Sequence, residues 1–105
     1  MTQYNIVYMT ASSMEEARTI GRELVASRLA ACVNILDNMK SFYWWENEIQ
    51  EGKEAVLIAK TVNVKVPELI KKVKSLHSYD CPCITAMPIV SGNKDFLDWI
   101  GRETF

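Results

Sequence analysis

Residues 41–61 read SFYWWENEIQEGKEAVLIAKT, and how this stretch folds decides the architecture. An aromatic run, Phe42 to Trp45, leads into a polar centre and then into the apolar run Ala55 to Ala59. This is the pattern of a hairpin, with an aromatic strand, a polar turn through Asn47 to Gly52 and a second strand from Glu54 to Thr61. Successive side chains of a strand point to opposite faces. Phe42, Tyr43, Trp44 and Trp45 must therefore place apolar surface on both sides of the sheet. A single layer of helices can cover only one of those sides.

Working outward, Tyr4–Thr10 (YNIVYMT) is short, aromatic and β-branched, as strands are. Ser13 followed by Glu16 forms a capping box that starts a helix. Ala17, Ile20, Leu24 and Val25 recur at helical spacing along it. ACVNIL, residues 31–36, returns to strand character. Beyond the hairpin, Asn63 is placed to cap a second helix. Pro67 falls in its first turn, where the missing N–H matters little. Val66, Leu69, Ile70, Val73 and Leu76 give this helix its apolar face. CITAMPIV, residues 83–90, is a fourth strand. NKDFLDWIGRETF is a C-terminal helix capped by Asn93, with Phe96, Leu97 and Ile100 turned inward. The order βαββαβ plus one helix predicts an α+β, ferredoxin-like sandwich: a four-stranded antiparallel sheet, both crossover helices on one face, a long β2–β3 hairpin and a short C-terminal helix. The other face needs a cover. Another subunit can supply it, so we expect a homo-oligomer joined through the sheets and the hairpin. The alternative is that the C-terminal helix and Trp99 cover it within the chain.

The chain has 105 residues, the size of one domain, and we expect a single domain over 1–105. Twelve basic and thirteen acidic residues give a net charge of -1, which leaves no basic field for nucleic acid. No apolar run reaches the roughly 20 residues of a membrane span. The N-terminus MTQYNIVYMTASS lacks both a basic start and a continuous apolar core, so no signal peptide is expected. Three cysteines suit free thiols better than a disulfide framework, and a cytoplasmic location is expected.

Chemistry-bearing residues concentrate in SLHSYDCPC, residues 75–83, which holds the single histidine, His77, together with Cys81 and Cys83. Two thiols on one side of an extended segment can share a soft ion such as copper(I). A C-x-C pair with one histidine is not a closed zinc set. His77 can also simply meet carbonyls at its helix end. Cys32, within LAACVNI, reads as packed. Asn34, Ser41, Glu46, Glu54 and Lys60 are polar residues among apolar neighbours, and Glu54 and Lys60 fall on the same side of one strand, as for a charged cleft. Nucleophile-elbow, P-loop, dinucleotide and zinc-protease motifs are absent, and no nucleophile–base pair can be named, so no enzyme is expected.

VYMTASSMEEA, SRLAACVNI, SFYWWENEI, EAVLIAKT, LHSYDCPCI and FLDWI occur in order and at the right spacing over residues 4 to 100. Together they resemble the CutA family of divalent-cation tolerance proteins. The resemblance implies a tight homotrimer with hairpins packed on neighbouring subunits, an architecture similar to PII signalling proteins. It also implies binding of copper or related divalent ions and no established catalysis. The cleft residues it implies here are Thr10, Asn34, Tyr43, Trp45, Glu46, Lys60, His77 and Tyr79, and it adds Met9 as a sulfur ligand beside Thr10. The candidate metal ligands are then His77, Cys83, Cys81 and Met9. Three positions depart from the family pattern. Ser78 stands for proline, Asn47 for glycine and Cys83 for glutamate, so a carboxylate gives way to a soft ligand. The competing reading is a PII-like scaffold whose cleft binds a small ligand or partner tail, with Lys60 as its charge and metal incidental.

Overall fold

A computed structural model describes residues 3–105, with Met1 and Thr2 outside the described part. The elements are β1 (Tyr4–Ala11), α1 (Met14–Ala26), β2 (Cys32–Trp45), β3 (Glu48–Val62), a 3₁₀ turn (Asn63–Lys65), α2 (Val66–Leu76), β4 (Ile84–Pro88) and α3 (Lys94–Glu103). The sheet order is β2-β3-β1-β4, and every neighbouring pair is antiparallel. This is the ferredoxin-like α+β sandwich that the order of elements predicts.

Alternation along the strands sorts the residues into two faces. Val7, Met9 and Ala11 of β1 and Ala55, Leu57 and Ala59 of β3 are buried against Ala17, Ile20 and Leu24 of α1 and Leu69 and Val73 of α2. Gly21 allows the close approach of α1 to β2, because a Cβ there would lie 3.3 Å from Val33 Cγ1. Ser13 caps α1 as expected, its hydroxyl accepting from the Glu16 N–H. At the other end of α1, Arg28 takes a left-handed φ of 64°. The N–H groups of Arg28 and Leu29 bond back to the carbonyls of Val25 and Leu24, which closes the helix with a Schellman motif.

The hairpin differs from the expectation in three ways. The expected strand at 31–36 and the aromatic strand are one strand, β2, with an irregularity between Leu36 and Met39. Three steps on β2 there oppose two on β3, from Val56 to Glu54, so one residue is extra and the facing parity flips. Asn38, at φ 64°, provides the left-handed conformation in this bulge. The turn is not Asn47 to Gly52 but only Glu46 and Asn47, both at positive φ, between the paired Trp45 and Glu48. A two-residue turn with both central residues left-handed matches the twist of its strands, so pairing continues through the polar residues to the tip. Asn63 does not cap α2. It lies in the 3₁₀ turn, where its Oδ1 accepts from Asn5 Nδ2, while Lys65 precedes α2 without a side-chain cap. Val25 and Leu76 are exposed rather than packed, and β4 is shorter than residues 83–90.

Tyr4, Val62 and Ala31 pack with Ile100, Leu97 and Trp99 of α3. The C-terminal helix thus covers part of the open face, as the alternative reading had it, but only at the Tyr4–Val62 end. At the hairpin, Phe42 is 68%, Trp44 71% and Ile49 64% exposed, so the chain itself leaves this apolar surface bare.

Candidate functional site

Where the hairpin leaves the sheet, the open face carries a polar cluster centred on Glu54. Pairing places Met39 opposite Glu54 and Ser41 opposite Gly52, so Ser41 and Glu54 share that face beyond the bulge. The Ser41 hydroxyl donates to Glu54 Oε1, and the Tyr79 hydroxyl donates to Glu54 Oε2 at 2.9 Å. Tyr43 lies against Gly52, its hydroxyl 3.7 Å from where a Cβ would stand. Tyr79 comes from the loop between α2 and β4, which therefore wraps round the end of the sheet to reach β3. Burial, and then the hydrogen bond and charge of Glu54, push the Tyr79 phenol up to about 12. The same loop carries Cys83 within range of the Glu54 charge. Partial burial and then the Glu54 charge push the Cys83 thiol up, favouring its neutral form.

His77 holds this loop in place. Its side chain is fully buried. The ring Nε2 lies 2.7 Å from the Thr10 carbonyl, which can only accept, and Nδ1 lies 3.0 Å from the Tyr79 N–H, which can only donate. The contacts assign the Nε2–H tautomer, and both ring nitrogens are occupied. The ring also packs on Tyr79 at a centroid distance of 4.7 Å. Glu16, 3.9 Å from Nδ1, ties the two loops together. Its Oε1 accepts from the Ser12 N–H and hydroxyl, and its Oε2 from the Ser78 N–H, each at 2.9 Å. Burial alone would raise the Glu16 carboxyl, but the bonds from Ser12 and Ser78 outweigh it and bring it down to about 2.

The remaining expected residues fall into three groups. Thr10, Tyr43, His77 and Tyr79 belong to the Glu54 cluster, although Thr10 takes part through its carbonyl. Asn34 and Lys60 form a separate pair, with the Lys60 ammonium bonded to Asn34 Oδ1. Lys60 shares a face with Glu54 but lies roughly 20 Å further along β3 at about 3.4 Å per residue, so the two do not form one charged cleft. Trp45 and Glu46 sit exposed at the hairpin tip. Met9 is wholly buried in the core under the helices, so the expectation of a sulfur ligand there is corrected: its alternation parity turns the thioether away from the open face. His77, expected as a ligand, offers no free nitrogen in this arrangement. Cys32, Cys81 and Cys83 are free thiols, with Cys81 and Cys83 exposed and Cys32 only partly buried. Glu16 and Ser12 are site residues that the sequence alone does not mark out. The capping-box pattern at Ser13 and Glu16 signals the carboxylate's local partner, but nothing in it reveals the Ser78 contact 62 residues away. Among the described residues, no three of His, Cys, Asp and Glu gather as a metal-holding set.

Comparison with known proteins agrees with this architecture over nearly all of the chain. The family model described as "CutA1 divalent ion tolerance protein" matches residues 5–103. The "Divalent-cation tolerance protein CutA" of Archaeoglobus fulgidus is 50% identical over 97 residues, covering 92% of this chain and 94% of that protein. Its counterpart in Thermus thermophilus is 46% identical over 99 residues, covering 94% of this chain and 96% of that protein. The solved structure described as the "Periplasmic divalent cation tolerance protein CutA from Archaeoglobus fulgidus" superposes with a TM-score of 0.94 at 47% identity, over 97% of this chain and 99% of that one. With a family match running from β1 to α3, relatives of about half-identical sequence and one shared fold, the chain belongs to the CutA1 divalent ion tolerance family.

Proposed function

We propose that this protein acts in divalent-cation tolerance as a homotrimer that takes up copper or a related divalent ion at clefts between its subunits, without catalysing a reaction. The observation that carries the reading is the bare hairpin beside the Glu54 cluster. Phe42, Trp44 and Ile49 expose apolar surface on one side of it, Tyr43 and Trp45 on the other, and a contiguous patch of this kind marks an interface. The donor set points the same way. The Cys83 thiol feels the Glu54 charge, but two donors do not complete a divalent site. A neighbouring copy or water must supply the rest. The ion is cargo here, and the Glu54 carboxylate is the group that would hold it. In calorimetric titrations of the reduced protein with copper(II) and with zinc, Glu54→Gln is expected to weaken uptake by about tenfold or more, with the assembly unchanged. Equal affinities for wild type and variant would count against Glu54 as the cleft ligand.

A second reading has an observation of its own. Lys60 is held to Asn34, a neutral partner, on the open face. A PII-like trimeric scaffold could use this cation for a small anion or a partner tail, with metal incidental. Lys60→Ala would then abolish ligand-induced thermal shifts while metal uptake survived. The free state of all three cysteines supports a cytoplasmic location. Cell fractionation tests it, and recovery in the periplasm, the location in the name of the Archaeoglobus structure, would overturn it. No helix among the described residues is long and apolar enough to cross a membrane.

A further inference from the structure

The Glu54 carboxylate has a charge that the chain does not pair. Among the described residues the ion pairs join Arg28 to Glu103, Lys72 to Glu23, His77 to Glu16 and Lys94 to Asp98, and none includes Glu54. The hairpin lysines Lys40 and Lys53 stand opposite each other in the ladder. Alternation turns both to the face away from Glu54. What surrounds the carboxylate instead is aromatic and thioether surface. The Tyr79 hydroxyl donates to its Oε2 and the Ser41 hydroxyl to its Oε1. Met39 faces it across the ladder, and the Tyr8 hydroxyl meets Met39 Sδ at 3.5 Å. Tyr43 shares this face by its register, with its ring edge 3.6 Å from a Cβ placed on Gly52. Tyr8, Met39, Glu54 and Tyr79 are half-buried, whereas Tyr43 is 47% exposed, so the cluster is open on the Tyr43 side.

We propose that this cluster binds a quaternary ammonium group, an organic cation with no N–H, against the Tyr43 and Tyr79 rings with Glu54 as its counter-charge. A cation over a tyrosine face is attracted by the ring quadrupole, and the attraction grows where water is excluded. Hydrogen-bond accounting selects the class of cation. A primary ammonium brings three N–H donors, and each asks for an acceptor. Glu54 already accepts from two hydroxyls and Met39 from a third, so few acceptors remain. Zinc asks for four ligands, and calcium and magnesium for six or more oxygens. Such an ion competes with Ser41 and Tyr79 for the carboxylate oxygens. A quaternary ammonium has no donor to satisfy, and its charge is spread over methyl groups that suit aromatic and thioether surface. The site overlaps the cleft proposed above, so the two kinds of cation would compete, but the inference rests on the aromatic frame and not on divalent-ion uptake.

The probe is tetramethylammonium, added to the full chain at constant ionic strength and followed by amide chemical shifts. Wild type should bind it at about millimolar concentration, with the shifts centred on Gly52, Glu54 and Tyr79. Ammonium and the neutral analogue tert-butanol should each bind about tenfold more weakly or worse, a comparison that needs no variant. Tyr43→Leu should weaken binding about fivefold, and Tyr43→Phe, which keeps the ring face, should restore it. Glu54→Gln should weaken it about tenfold through loss of the counter-charge. Circular dichroism checks that each variant folds. No saturable binding, equal binding of tert-butanol, or wild-type affinity in Tyr43→Leu would overturn the proposal. Zinc is titrated in parallel. Zinc uptake without tetramethylammonium binding overturns this proposal and leaves the divalent-ion reading standing; tetramethylammonium binding without zinc uptake does the reverse.

Discussion

At the scale of single residues, the site is a set of interlocking hydrogen bonds whose members were visible but whose partners were not. His77 stands out in the sequence as the single imidazole, and a metal role suggests itself. The fold instead buries the ring between the Thr10 carbonyl and the Tyr79 N–H, an arrangement that joins residues 67 positions apart. Met9 beside Thr10 is a similar case. Its parity in β1 was readable, but which parity faced the helices followed only from the assembled core. Glu16 was legible as a capping residue and proves to be a tie between the start of α1 and the loop before β4. Its carboxyl, lowered from 4.5 to about 2, contributes stability that is present above the unfolded value and is lost as pH falls from about 4.5 towards about 2. Acid unfolding of wild type should therefore steepen over that window. Glu16→Gln should flatten the profile there, as followed by chemical denaturation at a series of pH values. An unchanged slope would show that Ser12 and Ser78 do not hold the charged form.

At the scale of elements, βαββαβ order, the start of α1 and the inward faces of α1 and α2 were readable from periodicity, because burial on one face imposes it. The hairpin was harder. Polar residues from Asn47 to Gly52 look like a loop, yet they continue the ladder, because beyond the helices neither face of the ribbon is buried by the chain and alternation carries no signal. The bulge at Asn38 was equally silent, and it decides which aromatics meet Glu54. By flipping parity it turns Tyr43 and Trp45 to the open face and Phe42 and Trp44 to the other. The tip has a weak point. Glu46 sits at φ 51°, where a residue with a Cβ is strained, whereas Asn47 at 64° is well suited. Glu46→Asn should stabilise the protein by about 0.5–1 kcal/mol in denaturant titrations. A destabilised variant would mean that the Glu46 side chain has a partner in the assembled protein.

At the scale of the whole molecule, the apolar residues divide into a core that the chain closes for itself and a hairpin that it does not. Consecutive aromatics at 42–45 announced this in the sequence, because no single helix layer can cover both sides of a strand. The share of the open face taken by α3 was not legible, since it depends on where the last helix lands. Trp44, at 71% exposed, contributes little to the folded chain alone, so Trp44→Lys should leave its circular dichroism unchanged while shifting sedimentation from the proposed trimer towards monomer. A trimer retained at wild-type affinity would remove the hairpin from the interface. The most direct test of the central claim is native mass spectrometry of the reduced protein with copper(II) and zinc added in turn. The account predicts a mass of three chains that retains bound divalent ion. A monomer, or a trimer that retains none, would contradict it.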